Sequence, residues 1–386
     1  MIDLGIPLLA DQGLAFLDEK DRFKHLYCLG KTRTGKSTFF LNLIKQELDN
    51  AIIVLDPAGS FAQSVTSLAP PDRLILIDKK HPLVINPLTR KSLEWAELAK
   101  EFAEVMNACV MATSSTMEST VLMGEIILNA VRVLDEKQKN IEYLSEFLNF
   151  HDVRRQHFKA PDKYWRFFDQ KDEKGWYINK EKQDSAKRVA ARLSAFYVDP
   201  LMKRFTVGAN EFDVLEIVRE KKIVVVDLHG FDTGSQIYLG NLITHAVKSY
   251  YQHQASEQSP PLYVYVDEFH LFMSKFFGGM LSQCAKYNIS LNLAHQNHYQ
   301  ITKETLNAIM GNCFVQVVFN CGAEEYEKMA EEFAIPKKEF QQLGKYEAYV
   351  RIGNKAHKVL SFPPFKIEKR TEYSFLREGW MSCGTI

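Results

Sequence analysis

An α/β fold, with a central and mostly parallel sheet and an all-α insertion, follows from three features of this 386-residue sequence. Short apolar runs ending in an acid or a glycine alternate with segments of helical periodicity. That is the pattern of strands covered on both faces and joined by crossover helices. The phosphate-binding pattern GxxxxGK[ST] runs from Gly30 to Ser37, between the first such strand and the first such helix. From Ser92 to about residue 205, strand signals become scarce and helical stripes take over.

The elements follow in order. Residues 1–24 form a mixed lead-in, with Gly5, Pro7 and Gly13 as breakers and a charged run over 18–22. A strand over 26–29 leads into the glycine-rich loop. A helix over 35–48 then carries Phe39, Phe40, Leu43, Ile44 and Leu48 as its apolar stripe and stops at Asp49-Asn50. Strands over 51–55 and 74–77 end in Asp56 and Asp78. Leu98, Phe102, Val105, Met106 and Cys109 share one helix face, and a second helix covers about 117–133. The last helix of the insertion sets Val189, Leu193 and Phe196 against Lys187, Arg188 and Arg192, cations that read as a solvated face.

The α/β pattern then resumes. A strand over 222–226 ends in Asp227, and a helix over 235–251 is followed by the polar linker 252–259. Strands over 262–266, 289–293, 314–319 and 346–352 alternate with helices over 303–310 and 323–333. The predicted organisation is one α/β domain in two parts, 1–89 and 206–364, interrupted by an all-α domain over 90–205 and followed by a tail over 365–386. No internal repeat or low-complexity segment interrupts it.

Lys+Arg and Asp+Glu are 48 each, so a nucleic-acid surface would have to be local, such as a channel lining. No apolar run approaches the roughly 20 residues of a membrane span, and no signal peptide opens the chain, which predicts a protein that is cytoplasmic or peripheral at the inner membrane face. The six cysteines form no CxxC pair, which predicts reduced thiols and neither a disulfide nor a zinc site.

The chemistry is predicted at the sheet edge. Gly30, Lys31, Thr32, Arg33, Thr34, Gly35, Lys36, Ser37 and Thr38 would bind the phosphates of ATP through consecutive backbone N–H groups. Lys36 would reach the β- and γ-phosphates and Ser37 would ligate Mg²⁺. The strand 263–266 ending in Asp267-Glu268 fits a Walker B element, with Asp267 supporting the metal and Glu268 polarising the attacking water. Gln296, at the tip of the next strand, is placed to sense the γ-phosphate. His295 and His298 invite a metal reading, but no third ligand accompanies them.

The segments GKTRTGKST, DPAG, INPL, LYVYVDEFHLF, NLAHQN, GNCFVQVVFNCGAEE and KYEAYVRI, in this order, resemble the TraG/TraD-type conjugative coupling ATPases of type IV secretion. These lie within the HerA/FtsK superfamily of RecA-like motors. The resemblance spans about 25–88 and 206–352. It implies a RecA-like P-loop ATPase, a hexameric ring with Mg²⁺-ATP between subunits, DNA in the central channel, and a membrane or secretion-channel partner. It also implies catalytic roles for Lys36, Glu268 and Gln296, with Asp56 near the nucleotide edge. HerA-like repair or packaging motors and secretion-assembly ATPases acting on proteins remain alternatives. The chain departs from the pattern at Arg33, where glycine is common, and at Ala285, where relatives often carry arginine before the lysine. Arg192, Arg204 and Arg351 are then candidates for a trans-acting cation, and Lys275 for a pore contact.

Overall fold

The computed structural model describes residues 1–8, 15–89, 94–113, 120–135, 138–149, 167–168, 173–174, 180–272 and 277–362. Two compact units emerge. The first comprises 1–78, 214–230 and 250–386, and the second comprises 79–213 and 231–249. The second unit therefore starts earlier than 90 and takes in most of a helix assigned from sequence to the α/β part.

The first unit is organised by a ten-stranded sheet. Its strands are β2 (Ile6–Pro7), β4 (Leu26–Leu29), β5 (Ala51–Asp56), β6 (Leu74–Ile77), β7 (Ile223–Asp227), β8 (Leu262–Val266), β9 (Ile289–His295), β10 (Val315–Val318), β11 (Glu347–Ile352) and β12 (Lys355–Leu360). The spatial order is β2-β12-β11-β10-β4-β9-β8-β5-β7-β6. Strands β10 through β6 in that order are parallel, and β11, β12 and β2 complete one side antiparallel. Strands β1 (Ile2–Asp3) and β3 (Phe16–Leu17) form a separate antiparallel pair.

Every residue of β4, β5, β8, β9 and β10 is buried; β4, β8 and most of β5 are apolar runs, whereas β9 and β10 also bury Ser290, Asn292, His295 and Gln316. Parallel pairing puts the carboxyl ends of β4, β5, β7, β8, β9 and β10 on one edge, where ligands of open α/β sheets bind. Arg22 ties β8 to β9. Its guanidinium, 1% exposed, donates to Glu47 Oε1 at 2.5 Å, Ser290 Oγ at 2.6 Å and Tyr265 Oη at 2.9 Å. Tyr265 in turn donates to Glu47. One cation thus connects the last turn of helix Lys36–Glu47 to the two strands that lead into Asp267 and Gln296.

The second unit is helical. Its described helices include Trp95–Thr113, Thr120–Val131, Ile141–Asn149, Lys180–Ser194 and Pro200–Thr206, with most of Thr233–His253. In helix Lys180–Ser194, Val189 and Leu193 are buried while Lys187 and Arg188 face solvent, as the amphipathic reading predicts. Phe196 lies beyond the helix and stacks on Tyr238 at 3.9 Å. The INPL segment has a structural job here. The Asn86 side chain donates to Lys139 O at 2.9 Å and Gly208 O at 2.7 Å while accepting from Leu88 N. Among the described residues, no helix is long and apolar enough to cross a membrane, and Cys28, Cys109, Cys284, Cys313 and Cys321 are buried free thiols.

Candidate functional site

The P-loop leaves the tip of β4 and closes on helix Lys36–Glu47. Its two glycines are sterically required. A Cβ on Gly30 would stand 2.8 Å from Phe319 Cβ, and one on Gly35 would stand 2.8 Å from Phe319 Cε1. Gly35 also sits at φ +136°, a conformation side chains disfavour. Arg33 adopts the left-handed region too, at φ 63°, where a glycine would cost little.

The donors for a triphosphate are held closed on the loop itself. Lys36, only 6% exposed, donates to Gly30 O at 2.6 Å and Lys31 O at 3.1 Å. Ser37 Oγ donates to Asp267 Oδ2 at 3.2 Å. The P-loop hydroxyl and the Walker B carboxylate therefore face each other, as ligation of one magnesium ion by both requires. Two hard oxygens, from Ser37 and Asp267, beside the buried Lys36 ammonium fit a magnesium triphosphate. Burial pushes the Asp267 carboxyl up to about 6, with the Asp56 and Glu268 charges adding to it and Lys36 opposing. A group held so near neutrality is relieved by a divalent cation.

Behind the metal position a second chain of contacts runs from loop to base. Thr32 Oγ1 donates to Gln296 Oε1 at 2.9 Å, and Gln296 Nε2 donates to Glu268 Oε1 at 2.5 Å. Strand register makes this possible: Leu29 lies beside His295, and Val266 beside Leu293. Glu268 itself has φ 48°, so the chain turns sharply after Asp267 and aims the second carboxylate toward β9. Its other oxygen lies 3.4 Å from His270 Nδ1, and the far nitrogen of that ring contacts Gln300 Nε2 at 3.2 Å. Burial lowers the His270 imidazole below its ordinary value, with the Glu268 charge opposing.

Sequence reasoning grouped Lys36, Ser37, Asp267, Glu268 and Gln296, and the structure brings these together. Asp56 lies on the same edge, but both its oxygens are engaged by backbone. Oδ1 accepts from Ala58 N and Oδ2 from Ala62 N, each at 2.8 Å. It shapes the DPAG turn and acts on Asp267 through charge. His295 packs beneath the site, where its Nε2 meets Tyr27 Oη at 2.6 Å, and burial lowers its pKa well below the ordinary value. His298 also reaches that hydroxyl, at 3.1 Å. Arg351 lies 3.6 Å from Glu332 and over the Phe333 ring, and Arg192 belongs to the helical unit. Lys275 lies outside the described residues. The sequence reading missed the Thr32 contact and His270; the position of His270, two residues past the general-base candidate, was the available signal.

Fold and site together define a P-loop fold of the RecA-like kind, in which the strand between the P-loop strand and the Asp267 strand leads into Gln296. The chain belongs to the family of HerA helicase central domains, whose model matches residues 14–247, more than half its length. Residues 261–347 match a second model, described as the TraM recognition site of TraD and TraG.

Solved structures agree on the fold. VirB4 of Thermoanaerobacter pseudethanolicus superposes with a TM-score of 0.65 at 14% identity, covering 94% of this chain and 96% of that one. The bacterial conjugative coupling protein TrwBΔN70, in its unbound monoclinic form, gives 0.67 at 12% identity over 92% and 87%. Plasmid coupling protein TrwB in complex with ADP and Mg²⁺ gives 0.67 at 12% over 91% and 88%. No curated protein sequence matches significantly.

Proposed function

We propose that this chain is an ATP-hydrolysing motor of conjugative type IV secretion that forms a homo-hexameric ring and translocates DNA through its channel. The observation that carries the reading is the hydrogen-bonded line Thr32–Gln296–Glu268 beside the Ser37–Asp267 pair. In this reading Lys36 neutralises the β- and γ-phosphates, Ser37 and Asp267 hold Mg²⁺, and Glu268 takes a proton from water. Magnesium supplies charge neutralisation of the phosphates when bound. Gln296 touches both the loop and the base, so it registers whether a γ-phosphate is present and passes that state to β9. Movement along DNA would use backbone contacts that ignore sequence, repeated around the ring.

The likeness to coupling proteins supports this reading, and the TraM-recognition match supports docking of a partner protein on 261–347. The zero formal net charge keeps open, as a second reading, an assembly ATPase acting on protein. ATPase rates measured with and without DNA at low and high salt separate the two. Stimulation by DNA that fades with salt supports the motor; indifference to DNA at every salt concentration overturns it in favour of the protein-acting enzyme.

A further inference from the structure

The phosphate end of the site is fixed by Ser37, Asp267 and Gln296, all on the β9–β8 side of the P-loop strand. A nucleotide gripped there must send its sugar and base the other way, over the tips of β10 and β11. Because β11 is antiparallel, it begins where the parallel strands end, so the residue preceding it stands at the binding edge. That residue is Tyr346.

Tyr346 is held in an unusual way. Its φ is 68°, a genuine outlier for a bulky aromatic. Two backbone hydrogen bonds enforce it: Tyr346 N donates to Thr34 O at 2.9 Å, and Ser361 N donates to Tyr346 O at 2.8 Å. The first anchors it to the P-loop itself. Ring atom Cδ1 lies 3.2 Å from where a Cβ on Gly35 would stand. The residue is half-buried, and the exposed Lys345 ammonium lies 4.9 Å from its ring centre. A strained, doubly pinned aromatic with a face covered by one flexible side chain is a preformed stacking surface.

We propose that Tyr346 is the platform for a purine base, and that it sets the preference of this site for nucleotides over bare polyphosphate. The inference rests on reading the site as one for a magnesium nucleoside triphosphate. The purine takes the ring face now under Lys345, whose solvent-exposed stem lets it swing aside. Stacking reads the base as a flat π-surface and selects no particular exocyclic group.

The test uses the full chain and two probes, Mg²⁺-ATP and Mg²⁺-tripolyphosphate, titrated by calorimetry into wild type, Tyr346→Ala and Tyr346→Phe. Tyr346→Ala weakens ATP by about five- to a hundredfold, the range for losing one base–aromatic stack, and leaves tripolyphosphate within about twofold. Tyr346→Phe keeps the affinity for ATP. Equal weakening of both probes by Tyr346→Ala, or no weakening of ATP, overturns the proposal. A wild type that holds ATP no tighter than tripolyphosphate overturns it while leaving the triphosphate site intact. A wild type that binds neither probe overturns the nucleotide reading itself and this proposal with it.

Discussion

Replacing Arg22 with methionine tests how the catalytic elements are held in register. Arg22 and Glu47 are each 1% exposed, so removing the cation leaves a carboxylate buried with the Tyr265 hydroxyl as a donor. Burial already pushes Glu47 up, and Arg22 opposes it. Without Arg22 the carboxyl escapes by taking a proton. At pH 7 that costs about 1.4 kcal/mol for each of the roughly 2.7 units above the ordinary glutamate value, or about 4 kcal/mol. This agrees with the roughly 3–5 kcal/mol for breaking a buried pair.

The sign is fixed by the raised folded-state pKa. The stability of the variant is fullest below about pH 4.3 and is lost as pH rises, at about 1.4 kcal/mol per unit. Thermal melts of wild type and Arg22→Met at pH 5, 6, 7 and 8 read this directly. For a unit of this size about 4 kcal/mol corresponds to roughly 8 °C at pH 7, and about three-quarters of that gap closes by pH 5. Adding Glu47→Gln to the variant removes the stranded charge and flattens the pH dependence. A gap between Arg22→Met and wild type that is the same at every pH would refute the buried-carboxylate argument.

Other consequences follow from the site. Asp267→Asn stabilises the nucleotide-free chain by up to about 3 kcal/mol at pH 7, because the wild-type carboxyl, raised to about 6, loses stability as pH climbs from about 3.8. The advantage shrinks toward pH 4 in chemical denaturation, and the variant loses Mg²⁺-dependent turnover. Gln296→Ala lowers kcat by about a hundredfold with little change in ATP affinity, since it loosens Glu268 and leaves the phosphate cradle alone. Gly35→Ala abolishes nucleotide binding measured by calorimetry: the added methyl meets Phe319 at 2.8 Å, and the φ of +136° costs on the order of 1–3 kcal/mol.

The parallel core was legible because strands buried on both faces are mostly apolar, and runs ended in residues that the edge then used. Asp267, Glu268 and Gln296 were found this way. Strand β12 was not, because Lys355–Leu360 mixes polar and apolar residues on the antiparallel side of the sheet. Its signal was the Gly353-Asn354 pair, a two-residue hairpin turn with Gly353 at φ 58°. Arg22 read as one charge in a polar run. Its burial depends on Glu47, Tyr265 and Ser290, partners 25 to 268 positions away that no local pattern connects. Asp56 was legible as an edge acid, but its engagement by the amides of Ala58 and Ala62 emerges only once the turn is folded. Tyr346 read from sequence as the first residue of a strand, whereas β11 begins at Glu347 and the left-handed tyrosine before it is held by Thr34 and Ser361.

The most direct measurement is Mg²⁺-ATP turnover and binding by wild type, Lys36→Ala and Glu268→Gln side by side. Wild type hydrolyses ATP. Lys36→Ala loses binding and turnover together, whereas Glu268→Gln keeps binding and drops turnover by about a thousandfold or more. Hydrolysis at a near-normal rate by Glu268→Gln would contradict the assignment of the base and the catalytic geometry built around it.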